Sequence, residues 1–365
     1  MKLGIITGSP SFGGLNRVAM EQAAGLVGLG FDVDLIFLVR SQSVPAHNEL
    51  IRGAAVTYLL DFPHFGSIGE GLSRSLYLMK KLSRDYELLI AHNLPAARVA
   101  FRTWKANQTP YLCCHHDSWY TFPDPLYYAF AYFHSYFKRS EMRWLSNAKA
   151  ILTNSKKTAE VLRSQTGLLS SVLYPSSSLV GSIPREDVTG KRGEHFLAVH
   201  RMSSEPIFAE LVSLLEKVEK LNLIIAGGTV SRRTQKVVNM FSHLNNRVKF
   251  VFNPPDKDLR RLYLTSRGLL SPSVENFNLV ALEAAAMGCP VLTCKQSGIF
   301  EIFAGKYEEG FFDEGDADVL SAAVEILLSD PELAMRMGQK QYEIACNYTP
   351  KRHARELARI ISTVI

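Results

Sequence analysis

The sequence has no apolar run long enough to cross a bilayer. Its opening, MKLGIITGSPSFGG, offers only five or six apolar residues before the glycines, where a spanning helix needs ~20, and it also falls short of a signal-peptide core. Cysteine is sparse, and Cys113, Cys114, Cys289, Cys294 and Cys346 show neither CxxC pairing nor zinc-ligand spacing. That usage excludes a disulfide miniprotein and fits a reducing, cytoplasmic compartment. Internal repeats and low-complexity tracts are missing, so a solenoid is excluded. No Walker A, HExxH or GxSxG signature occurs, and the first strand runs into TGSPSFGG rather than GxGxxG, which argues against a dinucleotide-binding dehydrogenase. Gly25, Gly28 and Gly30 fall where a first helix would end and read as C-cap chemistry. Charge of one sign is only mildly in excess: Lys+Arg 41 against Asp+Glu 35 gives +6. Nucleic acid, phosphorylated metabolites and anionic membranes all remain compatible with that balance.

Hydrophobic residues make up 47% and charged residues 21% of the 365 residues, a globular profile long enough for two domains at about 150 residues each. Short Val/Ile/Leu-rich runs alternate with amphipathic stretches, the pattern of buried parallel strands joined by helices. In the first half the expected strands lie near 3–7, 33–38, 55–60, 88–93, 111–116, 150–154 and 171–175. From Ser176 to Glu194 the chain becomes polar and Ser/Gly-rich without periodicity and reads as a linker. A second series follows at 196–201, 223–227, 248–252, 268–273, 291–294 and around 311, and Pro350 opens a last amphipathic helix. The expected architecture is α/β, with two Rossmann-like doubly wound domains facing across a cleft: 1–175, linker 176–194, 195–347 and a terminal helix 348–365. Open α/β sheets bind ligands at the carboxyl ends of their strands, so the loops there carry the candidate chemistry.

The most informative segment is SVENFNLVALEAAAMGCPV (273–291), with Glu275 in a strand-to-helix loop and Glu283 eight residues on, inside the helix. The helix N-terminal amides of Asn278 and Leu279 are ready donors for a diphosphate. A carboxylate pair at this spacing also arises by chance, as an acid favoured by the helix dipole plus a solvated face. Glu283, however, sits within VALEAAAMG, and an unpartnered carboxylate among apolar neighbours is costly, so a hydrogen-bonding partner is expected.

ENFNLVALEAAAMGCPVL resembles the E-x7-E segment of retaining glycosyltransferases of the GT-B fold, glycosyltransferase family 4. The resemblance extends over nearly the whole chain. FGGLNRVAMEQAAGL (12–26) is similar to the family's Gly-Gly loop and helix, CCHHDSWY (113–120) to its strand-then-His-Asp element, and AILTNSKKTAEVL to its V-S-x6-L segment. FLAVHRM and LIIAGG are similar to its second-domain strands, and the last helix to its return helix toward the N-terminal domain. The resemblance implies that Glu283 binds the donor ribose, that Arg201 meets the diphosphate, and that Gly13 and Gly14 let the first loop approach the phosphate. It places Gly227, Asn253, Asn276, Phe277, Asn278 and Leu279 in the donor-binding set, and His116 with Glu275 as catalytic residues beside the donor sugar. It further implies retention of anomeric configuration with no metal ion or cofactor, the nucleotide diphosphate sugar being a co-substrate.

The family pattern is departed from at three places. The lysine usual five residues after the G-R strand is Pro206, the two glycines of E-G-F-G are Asn276 and Asn278, and the P-N-G turn is Pro175, Ser176 and Ser177. Asn is the residue after glycine that best tolerates the left-handed region, and Arg232 or Arg233 could stand in for the lysine. His116 has a plainer alternative as a loop histidine, and His92, at the end of LLIAHN, reads as a substrate-wall or structural residue. Cys113 and Cys114, adjacent on one strand, point to opposite faces and read as core.

The stretch FPDPLYYAFAYFHSYFKRSEMRW (122–144) combines aromatics with Lys138, Arg139 and Arg143. It reads equally as a peripheral membrane contact and as a core helix with a cationic outer face. A nucleic-acid partner is not expected. The expected function is therefore transfer of a hexosyl group from a nucleotide diphosphate sugar to a glycan or lipid-linked acceptor, in the cytoplasm or at the inner face of the cell membrane. A non-catalytic subunit of the same fold, or a sugar-nucleotide epimerase, is the rival.

Overall fold

A computed structural model of the chain describes residues 1–8, 14–39, 51, 53–60, 81–83, 85–116, 141–188, 190, 192–202 and 205–365. The chain divides into two compact units, one formed by Met1–Ser176 with Pro350–Ile365 and the other by Ser177–Thr349.

The first unit holds a seven-stranded sheet in the order β3-β2-β1-β4-β5-β6-β7. Its strands are β1 (Lys2–Thr7), β2 (Asp32–Val39), β3 (Ala55–Leu60), β4 (Leu88–His92), β5 (Tyr111–His115), β6 (Ala150–Thr153) and β7 (Ser171–Val172), all paired in parallel. β4 and β5 are buried at every position, as near-continuous apolar runs in a sheet covered on both faces must be. Alternate residues feed two cores. Leu89, Ala91 and Cys113 pack with Ala96, Val99 and Ala100 of α2 (Asn93–Asn107) on one face. Leu88, Ile90 and Cys114 pack on the other face with Met20 and Leu26 of α1 (Gly14–Val27) and with Leu357 and Ile361 of the last helix. The two cysteines are thus core residues of opposite layers.

α1 meets that last helix at Gly25, where an added Cβ would stand 2.7 Å from the Cβ of Ala354. Gly25 is therefore a close-packing residue inside α1, which corrects its reading as a C-cap. Gly30 does fill the cap role: its φ is 90°, and Phe31 N–H and Gly30 N–H donate to the carbonyls of Leu26 and Val27 at 3.1 and 2.9 Å.

The second unit repeats the topology in a six-stranded parallel sheet, order β10-β9-β8-β11-β12-β13. The strands are β8 (His195–Val199), β9 (Asn222–Ala226), β10 (Val248–Val251), β11 (Leu269–Ser271), β12 (Val291–Cys294) and β13 (Phe311–Phe312). Between β5 and β8 comes α3 (Lys156–Thr166); within this unit follow α4 (Glu205–Lys217), α5 (Arg232–Met240), α6 (Asp256–Thr265), α7 (Leu279–Ala286), α8 (Ala317–Ser329) and α9 (Pro331–Ala345). α10 (Pro350–Val364) closes the chain as part of the first unit.

In both sheets the chain order reverses beside the first strand, between β1 and β4 and between β8 and β11. Such reversals are where open α/β sheets bind ligands.

Part of the stretch expected to be the interdomain linker is packed into the second unit. Leu179, Val180, Val188 and Arg192 are buried in the second unit. The Arg192 guanidinium donates to the carbonyls of Tyr263 and Ser266 at 2.9 and 3.2 Å, and to that of Met287 at 3.0 Å. One side chain thereby satisfies the orphan carbonyls at the ends of α6 and α7. The polar composition misled because this cation caps helices from inside the fold.

Candidate functional site

The loop between β11 and α7 lies at the reversal of the second sheet. Asn278 is in the left-handed region at φ 79°, and its side chain caps α7 by accepting from Ala281 N–H at 3.1 Å. Its amide also donates to Ser271 Oγ and Thr293 Oγ1 at 2.9 and 3.2 Å. A glycine would supply the backbone angle alone; asparagine supplies the angle and three hydrogen bonds. Asn276, in contrast, is not among the residues with positive φ, so asparagine there replaces glycine without a conformational demand. Glu275 is half-buried; its N–H donates to Ser297 Oγ at 3.0 Å and its carbonyl accepts from Gly298 N–H at 3.1 Å. Phe277, 3% exposed, anchors the loop.

Glu283, one turn into α7, is buried at 4% exposure. The expected partners exist: Ser177 Oγ donates to Oε1 at 2.6 Å and Tyr263 OH to Oε2 at 3.1 Å. Both are residues that sequence reading missed. Ser177 occupies the place of the family's P-N-G turn, which was the available signal. Tyr263 lies in an ordinary amphipathic helix and carried none. α7 ends in a Schellman motif, Cys289 N–H donating to Ala284 O at 2.9 Å around Gly288 at φ 63°.

Arg201 follows β8 and is exposed. Gly227 (φ 116°) follows β9, and a Cβ there would lie 2.3 Å from the carbonyl oxygen of His200, so only glycine permits these two strand ends to cross. Asn253 after β10 is also left-handed, at φ 47°, and its N–H donates to Gly228 O at 2.9 Å. The three strand ends thus form one locked edge carrying Arg201, Gly227 and Asn253. Burial, with Arg201 adjacent, pushes the His200 imidazole down to about 4. Pro206 is exposed at the start of α4, where its fixed φ suits a first turn. Arg232 is exposed at the start of α5, and the Arg233 side chain lies outside the described residues.

In the first unit, His116 follows β5 and is 9% exposed. Its N–H donates to Asn93 Oδ1 at 2.9 Å and its carbonyl accepts from Asn154 Nδ2 at 3.3 Å, so the starts of α2 and α3 hold it from both sides. Its Nε2 lies 3.0 Å from His92 Nδ1, with the rings 11° from coplanar. His92 Nε2 is 3.0 Å from Gln22 Oε1, Gln22 Nε2 is 3.0 Å from His353 Nε2, and His353 Nδ1 is 2.8 Å from Tyr174 O. His92 is therefore a buried partner of His116. Gln22 and His353 were not anticipated; their signal was a polar residue on an otherwise apolar helix face. Gly14 opens α1 and is exposed, whereas Gly13 and most of the aromatic-basic stretch 122–144 lie outside the described residues. Among the described residues no helix is long and apolar enough to cross a membrane.

Two family models divide the chain: Glycosyltransferase Family 4 matches residues 12–174 and Glycosyl transferases group 1 matches residues 184–344. The alpha-1,3/1,6-mannosyltransferase ALG2 of Homo sapiens is 26% identical over 325 residues, 80% of this chain and 76% of that one. Among solved structures, HepE of Anabaena in complex with UDP and glucose aligns at a TM-score of 0.75 with 18% identity, covering 100% of both chains. Sucrose-phosphate synthase from Thermosynechococcus elongatus aligns at 0.79 with 17% identity, covering 100% of this chain and 98% of that one. The two reversed parallel sheets, the capped β11–α7 loop with its buried glutamate, and these matches agree, and the chain belongs to glycosyltransferase family 4, the glycosyl transferases group 1, with the GT-B fold.

Proposed function

We propose that this glycosyltransferase moves a hexosyl group from a nucleotide diphosphate sugar to a glycan or lipid-linked hydroxyl, with retention of anomeric configuration and without a metal ion. The observation that carries the reading is Glu283, a carboxylate buried in α7 and positioned by two hydroxyl donors at the reversal point of the second sheet. In this reading Glu283 accepts from the donor ribose, and Arg201 with the first amides of α7 neutralises the diphosphate. His116 and Glu275 position the sugar. Fixed donors aimed at the departing phosphate do what a bound cation does elsewhere, stabilising the charge that develops as the glycosidic bond breaks. The acceptor hydroxyl attacks the face that the phosphate leaves, and its proton passes to the phosphate oxygen. Support comes also from HepE, whose solved complex contains UDP and glucose, and from ALG2, named for mannosyl transfer.

The test is a metal-free thermal-shift screen against UDP-glucose, GDP-mannose and ADP-glucose, with Arg201→Ala and Glu283→Ala alongside. One nucleotide sugar should raise the melting temperature by an amount that follows RT ln(1 + [L]/Kd), and both variants should lose that rise. Stabilisation that persists undiminished in both variants would remove these residues from the donor site. Stabilisation that requires added divalent metal would overturn the metal-free part of the reading.

A further inference from the structure

We infer that His92, Gln22 and His353 form a one-directional hydrogen-bond relay that fixes the ring and tautomer of His116, making His353 of the last helix a positioning residue for transfer. The inference rests on the proposed role of His116 beside the donor sugar.

The direction of the relay follows from its far end. Tyr174 O, a backbone carbonyl, can only accept, so His353 Nδ1, 2.8 Å away, carries the proton. His353 is 6% exposed and His92 1%, and burial holds both imidazoles below their ordinary range and hence neutral. A neutral His353 protonated at Nδ1 offers Nε2 as an acceptor, so the Gln22 atom 3.0 Å from it must be the amide nitrogen. Gln22 Oε1 then faces His92, whose Nε2 has to donate, leaving Nδ1 as its acceptor. His116 Nε2, 3.0 Å from that Nδ1, is therefore the donor of the last bond.

Four groups point their protons the same way, from His116 to Tyr174 O, an arrangement in which each bond polarises the next. His116 is thereby held with its Nε2–H directed at His92 Nδ1, which fixes the ring; in the neutral ring this is the Nε2–H tautomer, whose Nδ1 is an acceptor. The members come from β4, α1 and α10, and Gln22 and His353 lie 331 positions apart in sequence. The Cys114 thiol also touches Gln22; burial pushes its pKa up to about 12, so it adds no charge.

Two-bond 1H–15N correlation spectra of the full chain labelled at histidine nitrogens read the tautomers directly, with assignments from His92→Asn, His116→Ala and His353→Gln. The expected result is His353 protonated at Nδ1 and His92 and His116 at Nε2. His353 protonated at Nε2, or His116 at Nδ1, overturns the relay. Function is read as release of nucleoside diphosphate from whichever of UDP-glucose, GDP-mannose and ADP-glucose stabilises the wild-type chain. Gln22→Met, which removes both central bonds, should lower kcat by about 10-fold, the lower end of what losing an orienting partner costs a metal-held histidine, with little change in donor KM. His353→Gln keeps an acceptor toward Gln22 and a donor toward Tyr174 O and should retain most of kcat. Unchanged kcat and an unchanged His116 signal in a folded Gln22→Met overturn the relay. Should Gln22→Met not fold, the wild-type spectrum still decides, through the protonated nitrogens of His353, His92 and His116. The expected tautomers with full turnover in His116→Ala would remove the positioning role and place the failure in the proposed role of His116 itself.

Discussion

Asn278 departs from the family pattern at a position with a specific backbone demand. The position demands a left-handed backbone, φ 79°, which costs most residues about 1–2 kcal/mol. Asparagine tolerates that angle and adds three bonds, to Ala281 N–H, Ser271 Oγ and Thr293 Oγ1, each worth about 1 kcal/mol net. Asn278→Gly should keep the angle and lose the bonds, destabilising by about 1–3 kcal/mol. Asn278→Ala should lose both, by about 1–2 kcal/mol more. Urea denaturation of the three chains measures the order; equal stability of the Gly and Ala variants would show that the backbone angle is not what selects the residue. Glu283 teaches the complementary lesson. Its apolar neighbours in sequence announced a buried carboxylate in need of donors, and the donors came from Ser177 and Tyr263.

At the element scale, the packing of α10 on α1 depends on one missing methyl. A Cβ at Gly25 would stand 2.7 Å from the Cβ of Ala354, closer than rigid methyl groups approach, so the helices would have to separate. Overpacking of this kind costs typically about 1–3 kcal/mol, which outweighs the ~1 kcal/mol that alanine gains over glycine in a helix interior. Gly25→Ala should therefore destabilise, and Ala354→Gly should also do so through its poorer helix propensity. The double variant should be more stable than the sum of the two predicts, by on the order of 1 kcal/mol. Strict additivity in that cycle would mean that the helices are not limited by this contact. The same interface carries Gln22 and His353, so a shift of α10 also disturbs the relay to His116.

For the molecule as a whole, pH dependence sums over histidines that folding takes wholly or partly out of water. His92, His353, His200 and His195 are all held below the ordinary value of 6.5, burial being the first cause in each. Below that value the unfolded chain binds protons that the folded chain refuses, so stability is complete above about pH 6.5 and falls as pH drops toward the folded values. Each such site removes up to ~1.4 kcal/mol per pH unit within its window. Urea midpoints between pH 8 and pH 5 should be flat at the upper end and decline below pH 6.5. His92→Asn should flatten part of that decline; an unaltered slope would assign the acid sensitivity to other groups.

Much of the fold was legible in the sequence, because its determinants are local. Strand-length apolar runs such as LLIAH and YLCCH are fully buried in a parallel sheet, and their alternation with amphipathic helices left few other architectures open. The loop bearing Glu275, Asn278 and Glu283 was legible too, since its spacing, dipole and capping chemistry lie within one strand-loop-helix segment. Tertiary structure alone decided the rest. Arg192 reads as part of a polar linker and becomes a buried cap for two helices. Gly25 reads as a helix end and becomes a packing contact. His353 reads as one residue of an amphipathic helix, yet it closes a hydrogen-bonded path to His116. In each case the partner lies far along the chain, and periodicity encodes which face of an element is buried, not which polar group waits on the other side.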